Sequence, residues 1–204
     1  MWTGAILAGG RARRLGGLNK AGLTLQPGGA SILDRQLARL GRVVDRIIII
    51  ANDAERYRTS GVPVVPDLIP DGGPLGALYT AVSAAHTDRT LVVACDMPFV
   101  SERLLAYLVS VGGAADITIP RTARGYEPLC ATYSPRSADA LRRMLDAGQQ
   151  RLSDVARIPG LTIREIGRDE LENFGPEEVV FFNLNTPDDH VRAIDIDGEY
   201  HYPS

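Results

Sequence analysis

Two short apolar runs constrain the fold of this chain more than any other feature. Residues 46–51 carry four consecutive isoleucines, and residues 90–95 carry Leu91, Val92 and Val93 in a row. A strand exposed on one face alternates apolar and polar residues. An unbroken β-branched run marks a strand buried on both faces, as in a parallel sheet covered by helices. The rest of the chain supplies matching elements. Strands are expected at 3–7, 62–65, 116–119, 129–133, 161–166 and 179–182. Helices are expected at 31–40, 75–85, 101–111, 135–147 and 187–194. Ser31 with Asp34 has the spacing of a capping box, and Asn185-Thr186-Pro187 opens the last helix. The alternation predicts a three-layer α/β fold with a mostly parallel sheet and a Rossmann-like first half.

No internal repeat, low-complexity tract or Ser/Pro linker divides the 204 residues, so a single domain over 1–204 is expected. The tail at 195–204 is polar and aromatic without a period, and is expected to be peripheral. The net charge of −3 argues against a dedicated nucleic-acid binder. The apolar runs are strand-sized, and residues 1–9 lack the pattern of a signal peptide, so no membrane partner is expected. Cys95 and Cys130 form no CxxC pair. Neither a disulfide framework nor a zinc site is indicated, and a reducing cytoplasm fits.

In an open α/β sheet, ligands sit beyond the carboxyl ends of the strands. The loops of interest are therefore 8–20, 51–54, 67–75, 96–99, 120–128 and 183–188. The first runs Leu7-Ala8-Gly9-Gly10-Arg11-Ala12-Arg13-Arg14-Leu15-Gly16-Gly17-Leu18-Asn19-Lys20. It holds four glycines, three arginines and Lys20, the only lysine beside 21 arginines. Glycine lets backbone N–H groups approach an anion, and the cations neutralise phosphate. The run is neither a Walker A loop nor a GxGxxG fingerprint. Asp96 closes the second buried strand; it either caps the following turn or faces the crevice as a Mg²⁺ carboxylate. Val65-Pro66-Asp67 and Asp71-Gly72-Gly73-Pro74-Leu75 lead into an Ala-rich helix, a good helix start and also a place for a ligand at backbone donors. Phe182-Asn183-Leu184-Asn185 ends a predicted strand, so its two Asn should point to opposite faces. His86, His190 and His201 are scattered, and no Gly-x-Ser-x-Gly or His-Glu-x-x-His motif occurs. Acyl transfer and zinc hydrolysis are poorly supported.

Taken together, the motifs resemble those of the molybdenum cofactor guanylyltransferases of MobA type. The first loop resembles their LAGG-x-x-x-RMGG-x-DK signature. Gly73-Pro74-Leu75-Gly76, Cys95-Asp96-Met97-Pro98 and Asn183-Leu184-Asn185-Thr186-Pro187 follow in the family's order, over roughly residues 3–192. The resemblance implies a nucleotide-diphospho-sugar transferase-like fold, with a nucleotide-binding part at about 1–100 and an acceptor-binding part at about 101–194. It implies Mg²⁺-dependent transfer of GMP from GTP to molybdopterin, with molybdoenzymes or delivery chaperones as further partners. By matching position, Leu7, Ala8, Gly9 and Gly10 would hold the nucleotide, together with Gly73, Pro74 and Leu75. Lys20 and Arg14 would act on the triphosphate. Asn52 and Asp67 would contact ribose or base, Asp96 would bind Mg²⁺, and Arg151, Asn183 and Asn185 would lie near the pterin. Asn19 stands where the signature has Asp, and Leu15 where it has Met. Glu127-Pro128-Leu129 has the common form of the acceptor-loop segment, which varies within the superfamily.

The implied nucleophile is the terminal phosphate of molybdopterin. A phosphate monoester loses its second proton near pH ~6, so no general base is needed. Two alternatives within enzymes are a cytidylyltransferase for the same pterin and a guanylyltransferase for another phosphorylated acceptor. Gly9-Gly10 favours GTP over CTP, because CTP-using relatives more often read Leu-Ala-Ala-Gly. An alternative of another class is a non-catalytic nucleotide-binding partner in cofactor delivery.

Overall fold

The computed structural model describes residues 1–9, 22–149 and 151–199. Gly10, Arg14 and Lys20 lie outside the described residues, as do Asn19 and positions 200–204. Among the described residues eight strands form one sheet: β1 Trp2–Leu7, β2 Arg46–Ile50, β3 Val64–Val65, β4 Arg89–Ala94, β5 Ile117–Thr122, β6 Gly125–Tyr126, β7 Cys130–Tyr133 and β8 Ile163–Ile166. Their order is β3-β2-β1-β4-β7-β5-β6, with β8 beside β5. The row β3-β2-β1-β4 is parallel throughout. β7 is antiparallel to both of its neighbours, and β8 runs parallel to β5. The sheet is thus mostly parallel, as the buried runs predict. Ile49, Ile50, Leu91 and Val92 are no more than 0% exposed, and each contributes about 2 kcal/mol by leaving water.

The described residues form seven α-helices: α1 Ile32–Leu40, α2 Gly73–Ala84, α3 Glu102–Val111, α4 Arg136–Asp146, α5 Arg168–Leu171, α6 Glu177–Val180 and α7 Pro187–Glu199. On one face, residues of α1 and α3 share a core with β1, β2 and β4. On the other face, α2 and α4 do the same. α2 is buried at Leu75, Leu78, Thr80, Ala81 and Val82, because it lies between the sheet and α4 and has little solvent side. The predicted capping box at Ser31 forms, and Ser101 caps α3. Ser31 Oγ accepts from Asp34 N at 3.1 Å while Asp34 Oδ2 accepts from Ser31 N, and Ser101 Oγ accepts from Leu104 N at 3.2 Å. Among the described residues no helix is long and apolar enough to cross a membrane.

Two expectations fail. The run at 179–182 is not a strand; it begins in the single-turn helix α6 and leaves it at Phe181. Four apolar residues satisfy a buried helix turn as well as a buried strand. Here Pro176 and the acidic first-turn pair Glu177 and Glu178 favour the helix start. The described part of the tail, 195–199, is also less peripheral than its composition suggests. α7 continues to Glu199, and Asp197 accepts from Arg35 Nη1 at 2.7 Å and from Gln26 Nε2 at 2.9 Å. Ala193 and Ile196, one turn apart, pack with Leu25, Ile32, Phe99, Phe182 and Leu184 in a third core cluster. A polar sequence with only two inward positions hides this amphipathic face.

Candidate active site

The parallel register assembles the site. Leu7 pairs with Ile50 on one side and Ala94 on the other, and Ile50 pairs with Val65. All four strands therefore end level. The ladder continues one step further: Ala8 N donates to Ile50 O at 3.0 Å, Ala51 N to Val65 O at 3.0 Å, and Cys95 N to Leu7 O at 3.1 Å. The next residues emerge in a row: Asp67 after β3, Asn52 after β2, Ala8 and Gly9 after β1, and Asp96 after β4. The row spans three strand spacings, about 14 Å.

At the β3–β1 end lies a cleft of about 700 Å³ lined by Ala8, Gly9, Asn52, Asp67, Gly73 and Pro74, among others. Asn52 and Asp67 clasp each other. Asn52 Nδ2 donates to Asp67 Oδ2 at 2.8 Å, and Asp67 N donates to Asn52 Oδ1 at 2.8 Å. Asp67 Oδ1 is buried with no hydrogen-bond donor among the described residues. A buried acceptor left unpaired is costly, so it suits a ligand donor. A Cβ added at Gly9 would meet nothing closer than Ile50 O at 3.7 Å, an ordinary contact. The fold itself does not require glycine there; the space it leaves belongs to the cleft. Gly72 differs, since a Cβ would lie 3.0 Å from Gly76 Cα and 3.1 Å from Ile69 O, so the turn into α2 needs glycine.

Sequence reasoning gave no role to four polar lining residues: Asp53 and Asp71, which lie in segments it singled out, and Arg56 and Tyr57, which it did not mention. Tyr57 is buried and donates its hydroxyl to Ala8 O at 3.0 Å, which fixes the first loop residue from the far wall. Burial pushes this phenol above its ordinary range, so it stays a protonated donor at neutral pH. Its only sequence signal was its place just after the 51–54 loop. With Asp53, Asp67 and Asp71 on the wall and only Arg56 beside them among the described residues, the cleft is acidic. Such a wall suits the hydrogen-bond donors of a nucleoside better than phosphate.

Asp96 emerges half-buried at the other end of the row. Its turn is gripped by α1: the buried Gln36 donates from Nε2 to Ala94 O at 2.8 Å and to Met97 O at 3.2 Å. Leu184 N donates to Asp96 O at 2.8 Å, which straps the 183–185 segment onto the end of β4. Asn183 and Asn185 thereby come next to Asp96, although no strand carries them. Asn183 Nδ2 donates to Phe181 O at 3.1 Å, and Asn185 N donates to Asp189 Oδ2 at 3.0 Å in the cap of α7. Leu7 and Leu75 turn their side chains into the core, at 5% and 1% exposure, so only their backbone is available to a ligand. Arg151 is exposed before a 3₁₀ turn at Leu152–Arg157 and does not line the cleft. Among the described residues no three His, Cys, Asp or Glu side chains gather as a metal cluster. Mg²⁺ shared with substrate phosphates takes only one or two protein carboxylates, and a single half-buried Asp96 at the crevice fits that role.

Residues 4–163 match the MobA-like NTP transferase domain. A probable molybdenum cofactor guanylyltransferase of Pelotomaculum thermopropionicum is 37% identical over 191 residues, covering 94% of this chain and 91% of that protein. A molybdenum cofactor guanylyltransferase of Desulfosudis oleivorans is 31% identical, covering 94% and 93%. The crystal structure of molybdopterin-guanine dinucleotide biosynthesis protein A from Archaeoglobus fulgidus superposes with a TM-score of 0.78 at 26% identity, covering 97% of this chain and all of that one. A domain match across most of the chain, joined to relatives above 30% identity over nearly its whole length, settles the kinship: this chain belongs to the MobA-like NTP transferase family.

Proposed function

We propose that this protein transfers the guanylyl group of GTP to the terminal phosphate of molybdopterin. A phosphate oxygen of the acceptor forms a bond to the α-phosphorus, the bond from that phosphorus to the β-bridging oxygen breaks, and pyrophosphate leaves. The product is the guanine dinucleotide form of the cofactor. One observation supports this reading: four level strand ends put the cleft lined by Asn52 and Asp67, the Ala8-Gly9 backbone and Asp96 in one row, with Asn183 and Asn185 strapped beside Asp96. The names of the relatives supply the identity of donor and acceptor.

Within this reading, Asn52 and Asp67 take the nucleoside, and the spare acceptor Asp67 Oδ1 meets a ribose hydroxyl or a base N–H. Ala8 and Gly9 let the nucleotide cross the sheet edge against bare backbone. Asp96 holds Mg²⁺, which when bound supplies polarisation of the α-phosphate and charge neutralisation. Gly10, Arg14 and Lys20 follow in the chain and take the β- and γ-phosphates; this assignment rests on sequence. Gly73 and Pro74 border the cleft at the start of α2, Leu75 serves through backbone, and Arg151, Asn183 and Asn185 take the acceptor side. The acceptor phosphate is ionised at neutral pH, so positioning and electrostatics replace a general base. The buried cysteines Cys95 and Cys130, which form no CxxC pair, suit a reducing cytoplasm. Hand-over of product to molybdoenzymes or delivery chaperones extends the same reading.

The test is pyrophosphate release from GTP, Mg²⁺ and molybdopterin. Release with GTP and not CTP is expected. Thermal shift with GTP, CTP, ATP and UTP checks the donor independently, and a clear CTP preference overturns it. Nucleotide binding without turnover would make the chain a carrier instead of an enzyme.

A further inference from the structure

A corner of the molecule outside the nucleoside cleft holds two charged side chains that the row of strand ends leaves unused. The segment at 127–129 lies between β4 and β5: Glu127 N donates to Pro120 O at 3.0 Å, and Leu129 O accepts from Ala94 N at 2.8 Å. Tyr133 Oη donates to Pro128 O at 2.7 Å from below and fixes the segment. It therefore flanks the end of β4, where Asp96 emerges. The β5–β6 turn is pinned as well, by Ala123 N donating to Glu177 Oε2 at 2.9 Å.

Two side chains converge on one carbonyl here. Phe181 O accepts from Arg124 Nη2 at 2.9 Å and from Asn183 Nδ2 at 3.1 Å. The guanidinium of Arg124 and the amide of Asn183 are thus neighbours, and Asn183 adjoins the Leu184 strap on Asp96. Glu127 is half-buried near Arg124 and Glu177. Its Oε1 accepts from Thr122 Oγ1 at 3.3 Å, and Oε2 accepts nothing from the described residues. Desolvation, opposed by Arg124 and Thr122, holds this carboxyl above its ordinary range. A carboxylate kept in partly dry surroundings without a full set of donors gains when a ligand supplies them.

A pterin presents an aminopyrimidinone edge, with an amino group and a ring N–H as adjacent donors and a carbonyl oxygen as acceptor beside them. A carboxylate with a guanidinium at its side complements that edge. The corner lies up to two strand spacings, about 10 Å, from the end of β4, so a ligand can place its phosphate at Asp96 and its ring here. We infer that Glu127 and Arg124 read the aminopyrimidinone edge of the acceptor, Glu127 accepting from its amino and ring N–H groups and Arg124 donating to its carbonyl. This rests on the guanylyl-transfer reading above and specifies how that site selects a pterin.

Glu127→Gln and Arg124→Lys test it in the full-length protein. Glutamine keeps the shape but turns one acceptor into a donor facing a donor. Steady-state turnover with GTP and molybdopterin should show the acceptor KM raised about tenfold or more in Glu127→Gln, with the GTP KM within about twofold of wild type. Lysine keeps the charge of Arg124 but not its planar fork, and a smaller rise in acceptor KM is expected. Fluorescence titration with carboxypterin and with its dioxo counterpart, carboxylumazine, gives a readout that a merely structural role would not move. Wild type should prefer the pterin, and Glu127→Gln should lose the preference. Turnover of molybdopterin with unchanged acceptor KM and unchanged pterin preference in Glu127→Gln overturns the inference and leaves guanylyl transfer standing. Equal losses toward GTP and acceptor also overturn it. No turnover by wild type with GTP and molybdopterin overturns the functional reading, and the inference falls with it.

Discussion

The two ends of the strand row are built by different physics. From β3 to β4, parallel pairing aligns every strand end, so Asp67, Asn52, Gly9 and Asp96 need only correct register to come together. Beyond β4 the sheet turns antiparallel, and its loops no longer fall on one edge automatically. There the residues are gathered by individual long-range bonds: Leu184 N to Asp96 O, Arg124 Nη2 to Phe181 O, and Ala123 N to Glu177 Oε2. The first end is a property of the sheet. The second is a set of straps, each a separate point of failure and a separate place where specificity can change.

The largest effect should come where the two ends meet. Asp96→Ala is expected to lower turnover by about two orders of magnitude or more, with melting temperature within a few degrees of wild type. Pyrophosphate release and a thermal melt check this together, and near-normal turnover by the folded variant removes Asp96 from the chemistry. Next in size is a change confined to the parallel end. Asp67→Asn removes the charge but keeps the clasp with Asn52. It should raise the GTP KM about tenfold and leave the acceptor KM alone. If Asp67→Asn instead moved the acceptor KM, the division between the two ends would break.

That division also explains what could be read from sequence. The parallel half was legible because β2 and β4 carry unbroken apolar runs and its candidate site residues sit one or two positions past the strand ends. Asn52, Asp67 and Asp96 follow from that rule with the help of motif resemblance. Tyr57 and Arg56 escaped because a 3₁₀ turn at Glu55–Ser60 carries them back to the cleft, and no periodicity announces such a turn. On the strapped side the failure was larger. The 179–182 run by itself reads equally well as strand or helix, and the helix start just before it, at Pro176, Glu177 and Glu178, decides between them. The resemblance supplied the Glu127-Pro128-Leu129 segment but no residue roles, because the meeting of Arg124 with Asn183 at Phe181 O spans elements far apart in the chain. Lys20 was conspicuous as the one lysine among 21 arginines, a signal of composition that needs no fold.

The straps themselves can be weakened. Asp197 has 8% side-chain exposure, faces Arg35 at 20%, and anchors the end of α7, whose Ala193 and Ile196 share a core with Phe182 and Leu184. Asp197→Ala leaves the Arg35 guanidinium without this partner and removes the acceptor of Gln26. The expected cost is about 2 kcal/mol, or about 4–8 °C in melting temperature for a chain of this length. The loss should come without a selective rise in either KM among molecules that remain folded. A change below about 0.5 kcal/mol by chemical denaturation would return 195–199 to the periphery.

The smallest effect is the most discriminating, because its sign differs between a recognition residue and a structural one. The folded protein holds the Glu127 proton more tightly than the unfolded chain does, since burial raises its carboxyl. The stability linked to this group is therefore fully present below the ordinary glutamate value of about 4.3. It is lost as pH rises through the higher value in the fold. At neutral pH the ionised Glu127 is a net cost to folding, kept despite Arg124 and Thr122 nearby. Glu127→Gln removes that cost. Its melting temperature at pH 7 should equal or exceed that of wild type, by no more than about 2 °C. The difference should vanish as pH falls to the ordinary carboxylate range, while the acceptor KM at neutral pH rises. A melting temperature clearly below wild type at pH 7 would make Glu127 part of the scaffold. The strapped end would then be a folding device in the same sense as the parallel end, and the contrast between them would close.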